Sequence, residues 1–81
     1  MTRDEIMAKV ANVLRDVFDD ESLQPTDSTT AEDVDEWDST NQVRFMVAVE
    51  SEFGIRFESD EFAKPENVGQ VVDMVMEKLA D

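Results

Sequence analysis

Residues 37–54 read WDSTNQVRFMVAVESEFG, and the fold follows from how this stretch is arranged around a helix. With Ser39 set to zero and about 100° of rotation per residue, Phe45, Val49, Phe53 and Met46 fall at about 240°, 280°, 320° and 340°. That arc is a core-facing stripe. It predicts a helix over 39–53 that stops at Gly54, a residue suited to the left-handed position past a helix end. Val43 and Val47 fall at about 40° and 80°, on the Ser39 side of the stripe, so the helix has more apolar arc than one core contact needs. Either these valines pack beneath a neighbouring loop, or they form a partly exposed strip that docks on partner proteins.

Upstream, Ile6, Val10, Val13, Leu14, Val17 and Phe18 recur at helical spacing, and Thr2 with Glu5 matches a capping box. A first helix is expected near 3–18. Residues 19–38 are polar and acidic, interrupted by Pro25, with Leu23, Ala31, Val34 and Trp37 as apolar anchors. They read as a long ordered loop that those side chains pin to the bundle. Downstream, Ser59 to Phe62 is long enough for about one turn before Lys64 and Pro65 interrupt it. A last helix is expected from near Asn67, capped through Asn67 and Gln70, with Val68, Val71, Val72, Val75, Met76 and Leu79 facing the core. The fold class is all-α, with three main helices, one short one and a long loop between the first two.

The chain has 81 residues, 41% hydrophobic and 35% charged, which suits one compact domain over 1–81. It has no Cys and no His, so no encoded side chain supplies a thiolate, an imidazole base, a disulfide or the usual zinc and haem ligands. Carboxylates remain, but none stands in a recognisable apolar pocket, and the chain is read as a non-enzyme. Asp33, Asp35 and Asp38 do not make a calcium loop, because counting from Asp33 puts Trp37 at the fifth position and Asp38 at the sixth, where Gly is required. No metal site is expected. No stretch reaches the roughly 18 apolar residues of a membrane span, and MTRDEIMAKV lacks the apolar centre of a secretion signal, so a cytoplasmic protein is expected. A formal net charge of −14 repels nucleic acid and anionic membranes and attracts basic protein surfaces. Glu50, Glu52, Glu58, Asp60 and Glu61 are either solvated surface or part of such a docking face.

Trp37-Asp38-Ser39 joins the acidic loop to the central helix. The Ser39 hydroxyl is expected at the surface beside free backbone N–H groups, where the positive end of the helix favours a phosphate. Local pattern equally allows plain capping, since Asp38 is a competent N-cap and Ser39 with Gln42 matches a capping box.

Asp38-Ser39 opening a helix of the form V-R-F-M-V-A-V-E, followed by Glu52-Phe53-Gly54-Ile55, resembles the attachment region of acyl carrier proteins. The likeness extends over all 81 residues. It implies a four-helix bundle and a stand-alone, monomeric carrier whose Ser39 takes a 4′-phosphopantetheine arm from coenzyme A, installed by a phosphopantetheinyl transferase. Asp38 then matches the acidic residue that helps hold magnesium and orient the serine in that transfer. The arm brings the thiol the chain lacks and carries acyl or aminoacyl groups as thioesters. The further partners implied are an acyl- or aminoacyl-loading ligase or transferase and synthase enzymes with basic docking patches. Two positions depart from the family pattern. Thr40 stands where Leu is usual and Arg44 where Glu is common; with Val43 and Val47 they form the surface partners would read. The Trp-Asp-Ser form also resembles discrete carriers of specialised routes, D-alanyl, polyketide or peptide, more than bulk fatty-acid carriers. The rival reading is an acidic helical interaction module or nucleic-acid mimic with no covalent cofactor.

Overall fold

The computed structural model describes residues 1–80. Three α-helices form the bundle: α1 (Arg3–Phe18), α2 (Ser39–Phe53) and α3 (Val68–Ala80). Two short 3-10 turns, Ala31–Asp33 and Ser59–Ala63, lie in the connections, and no strand occurs among the described residues. The second turn is the short third helix expected from the sequence.

Each main helix has a local reason to begin. The Thr2 hydroxyl accepts the Glu5 N–H at 3.2 Å, and the Glu5 carboxylate accepts the Thr2 N–H at 2.8 Å, closing the capping box at the start of α1. Asp38 caps α2 and Asn67 caps α3, the latter by accepting the Gln70 N–H at 2.8 Å. Gln70 does not reach back to Asn67 as the sequence pattern suggested; it takes the Glu66 N–H at 2.9 Å, one residue further out. α2 ends at Gly54, whose φ of 64° is left-handed and whose N–H returns to the Glu50 carbonyl.

α1 packs against both other helices, and α2 packs on the second 3-10 turn. The core holds Ile6, Val10, Leu14, Phe45, Met46 and Val49 with the valines of α3. At roughly 1.5–3 kcal/mol per large apolar side chain, this stripe-on-stripe burial is what offsets the entropy of ordering so short a chain. The α3 stripe differs from expectation near its end. Met76 and Leu79 are 37% and 41% exposed, because the last turn faces an open groove shared with Met1 and Ile6 instead of a covering element; Met74 is buried in their place.

The long loop is ordered by contacts with both ends of the chain. Arg3 pairs with Asp27 at 2.9 Å and Asp73 at 3.2 Å, holding α1, the loop and α3 together. The Arg15 Nε donates to the Leu23 carbonyl at 2.7 Å. Main chain meets main chain where Val68 N–H donates to Thr29 O and Gly69 N–H to Asp27 O, both at 2.9 Å. A Cβ at Gly69 would sit 2.9 Å from the Asp27 oxygen, so the approach requires glycine. Among the anchors, Val34 is buried and Leu23 and Trp37 half-buried, but Ala31 is exposed. It opens a turn in which Thr30 and Asp33 cap one another, and that turn holds its small side chain outward.

Candidate functional site

The α2 start rests on an aromatic floor. Phe45 is fully buried, and Trp37 packs edge-on against it at 5.5 Å between ring centroids, with Phe18 at 5.6 Å on its other side. A half-buried indole N–H needs an acceptor. Gln42, one turn into the helix, supplies it through Oε1 at 2.6 Å and donates from Nε2 to the Phe62 carbonyl at 3.1 Å.

The approach to Ser39 is fixed just as tightly. Glu36 holds a left-handed φ of 68°, an arrangement that a side-chain-bearing residue keeps only when its surroundings hold it there. The Glu36 carbonyl accepts the Asn41 Nδ2 at 2.6 Å and the Asp38 N–H at 3.0 Å. Asp38 then accepts the Asn41 N–H on its carboxylate at 2.9 Å and the Gln42 N–H on its carbonyl at 2.8 Å. Ser39 is therefore the first helical residue and is exposed. Among the described residues, no hydrogen bond reaches the N–H groups of Ser39 and Thr40, so two oriented donors stand open beside the hydroxyl.

The Ser39–Gln42 capping box allowed by the sequence does not form. The Asp38 carboxylate lies one residue earlier and takes the Asn41 N–H, which makes Asp38 the cap and puts Ser39 inside the helix. Gln42 is drawn instead to the indole and the Phe62 carbonyl.

Thr40, Val43, Arg44 and Val47 are all exposed, and they lie outside the core-facing arc of α2. Val43 and Val47 are each 47% exposed, so they do not pack beneath the loop. Arg44 donates from Nη1 to Asn41 Oδ1 at 3.0 Å, holding its cation near the helix start. Below Val47 the strip runs into a groove of about 620 Å³ lined by Glu50, Ser51, Gly54, Ile55, Arg56, Phe57 and Phe62. Phe57 and Phe62 meet edge-on at 6.1 Å across its floor, and Glu50 accepts the Phe57 N–H at 2.6 Å. The Glu61 carboxyl holds the turn over this groove. It accepts the Glu58 N–H and pairs with Lys78 at 2.8 Å, contacts that in that order keep it below the usual carboxylate range. Of the remaining acidic residues, Glu52 pairs with Lys9 at 3.7 Å.

Sequence reasoning missed Gln42 as a bridging residue, Phe62 as its partner and Glu36 as a strained position. A signal existed for the first: a tryptophan before a helix needs an acceptor for its N–H, and a glutamine five residues later is within reach. Phe62 stands twenty residues from Gln42, where no local pattern points.

No family model matches the chain. An acyl carrier protein of Petrotoga mobilis is 36% identical over 98% of this chain and 93% of its own length. Those of Rickettsia canadensis and Thermosynechococcus vestitus are 35% and 33% identical, covering 95% and 99% of this chain and 90% and 99% of their own lengths. The solution structure of a holo acyl carrier protein from Geobacter metallireducens superposes with a TM-score of 0.83 at 38% identity, over 91% of this chain and 85% of that one. Near-full-length likeness in sequence and in backbone places this all-α chain in the acyl carrier protein family, whose members carry and do not catalyse.

Proposed function

We propose that the chain is a stand-alone carrier whose Ser39 hydroxyl anchors a 4′-phosphopantetheine arm, with acyl or aminoacyl groups held on the arm as thioesters. The observation that carries this reading is the exposed hydroxyl at the first residue of α2, beside two open backbone donors. These residues fit the group. A phosphodiester on Ser39 would project to solvent, and the helix start would stabilise its charge against the nearby Asp38 carboxylate. When attached, the arm supplies a thiol at the end of a long flexible chain.

In this reading Asp38 sets the helix register that frees the hydroxyl and stands beside it during transfer, where a magnesium ion would offset its charge. Thr40, Val43, Arg44 and Val47 form the surface on which the phosphopantetheinyl transferase, the loading ligase or transferase, and downstream synthases dock. The valines give an apolar centre and the surrounding carboxylates match basic rims. Arg44 breaks that charge pattern and selects against partners built for a wholly acidic helix. A dedicated route of the D-alanyl, polyketide or peptide kind is favoured over bulk fatty-acid synthesis on this ground.

Intact mass after incubation with coenzyme A and a promiscuous phosphopantetheinyl transferase tests the assignment. One added phosphopantetheinyl mass is expected on the native chain and none on Ser39→Ala. An unmodified native chain, or a modified Ser39→Ala, sinks it.

A further inference from the structure

Gln42 is half-buried and uses both ends of its amide. The orientation of that amide is fixed by chemistry: an indole N–H can only donate, so it faces Oε1, and a backbone carbonyl can only accept, so it faces Nε2. One side chain therefore joins two regions with different tasks. On one side stands Trp37, two residues before Ser39 and wedged between Phe18 and Phe45. On the other stands the carbonyl of Phe62, whose ring meets Phe57 in the floor of the groove below Val47. Among the encoded side chains that could span this gap, only a carboxamide both donates and accepts here; glutamate keeps the indole bond and loses the carbonyl bond, and leucine loses both.

We propose that Gln42 is a positioning residue that couples the groove wall at Phe62 to the setting of Trp37 and the helix start at Ser39. Displacing the 59–63 turn pulls on the Phe62 carbonyl, the amide follows, and the indole loses or changes its acceptor. The Ser39 end of the carrier then differs according to whether the groove is filled. This last consequence rests on the carrier reading; the coupling itself does not.

A double-mutant cycle on the unmodified chain tests the tie. Trp37→Phe, which removes the indole donor, and Phe62→Ala, which keeps the carbonyl but loosens the turn that positions it, measured by chemical unfolding singly and together, should be non-additive by at least about twofold in the folding equilibrium constant, the lower end of what residues in one hydrogen-bonded network show. Repeated in a Gln42→Leu background, the same cycle should close to additivity. Additivity in the native background, or equal non-additivity without Gln42, overturns the proposal. Should Gln42→Leu fail to fold, Gln42→Glu takes its place, since it keeps the indole acceptor and removes only the donor to Phe62.

The consequence for cargo is read separately, with octanoyl-coenzyme A and coenzyme A as the two arm donors. Once mass has confirmed loading, the Trp37 indole N–H resonance should differ between octanoyl and free-thiol forms of the native chain and coincide in Gln42→Glu. Identical resonances in the native chain, or an undiminished difference in Gln42→Glu, overturn the transmission. Absence of any added mass instead sinks the carrier reading and leaves the coupling to the cycle.

Discussion

Two helix starts in this molecule share a spacing and use it in opposite ways. At α1, Thr2 and Glu5 close a reciprocal box in which the hydroxyl and the carboxylate are both consumed by backbone N–H groups. At α2, Ser39 and Gln42 have the same three-residue separation, but Asp38 stands one residue earlier and takes the capping role. That shift of one residue leaves the serine hydroxyl unengaged by the cap and releases the glutamine to bridge Trp37 and Phe62. The first start is spent on stability. The second is held in place by its neighbours and leaves its serine exposed, the arrangement that a site on a rigid element would need.

The largest way to break the contrast is to remove the floor beneath the second start. Phe45→Ala deletes a fully buried ring and should cost about 3–5 kcal/mol in chemical unfolding, with Trp37 fluorescence moving toward that of an exposed indole. Val47→Asp, on the exposed face of the same helix, should change stability by less than about 0.5 kcal/mol while slowing arm transfer. Loss of cooperative melting in the second variant would mean that the strip belongs to the core.

Asp38→Ala attacks the register itself. Loss of the cap should cost about 1 kcal/mol, and Ser39, now the nearest capping side chain, should swing onto the helix end. Arm transfer should slow beyond what the stability loss explains, as followed by intact mass over time. Unchanged transfer would show that the one-residue shift does not matter for access.

Deleting each hydroxyl sharpens the comparison further. Thr2→Ala should cost about 1 kcal/mol, because its oxygen accepts the Glu5 N–H, whereas Ser39→Ala should lie within about 0.5 kcal/mol of the parent. Equal costs would mean that Ser39 also caps.

The smallest effect is acid sensitivity at the first start. The Thr2 N–H, and after it the Thr2 hydroxyl, hold the Glu5 carboxyl below its ordinary value of 4.5. A carboxyl depressed in the folded state contributes its stability fully above the unfolded value and loses it as pH falls through the folded one. Hydrogen exchange at residues 3–6, compared between the native chain and Glu5→Gln, should differ at pH 7 and converge well below pH 4.5. At α2 the corresponding side chain is Gln42, which does not titrate, so Gln42→Leu should show no such convergence.

Most of the architecture was legible because it is periodic. The bounds of α1 and α2 follow from the recurrence of Ile6, Val10 and Leu14 and of Phe45 and Val49, and Gly54 marks the stop by its own backbone freedom. That Val43 and Val47 lie off the core stripe was legible for the same reason, but a helical wheel could not say whether the loop covers them; their exposure came from the structure. What escaped was non-local. Whether Leu79 is covered depends on where neighbouring elements end, not on its place in the stripe. Gln42 looks like a capping residue until Trp37 and the distant Phe62 carbonyl compete for its amide, and the groove exists only once residues 47 and 62 are brought together. Even the left-handed Glu36 has no mark in the sequence, because the carbonyl contacts that hold it come from Asn41 and Asp38 after the helix has formed.

The seam between Gly69 and Asp27 bears on the order in which the molecule is finished. A chain made from its N-terminus contains Ser39 and all of α2 before residue 69 has been added, yet the loop leading to that serine takes main-chain partners from Val68 and Gly69. Until then the loop has Arg15 and Phe18 of α1 to settle against but lacks the seam that closes it. The strap that leads to the serine is thus completed by α3, so a change at Gly69 disturbs the approach to a residue far from it in the sequence.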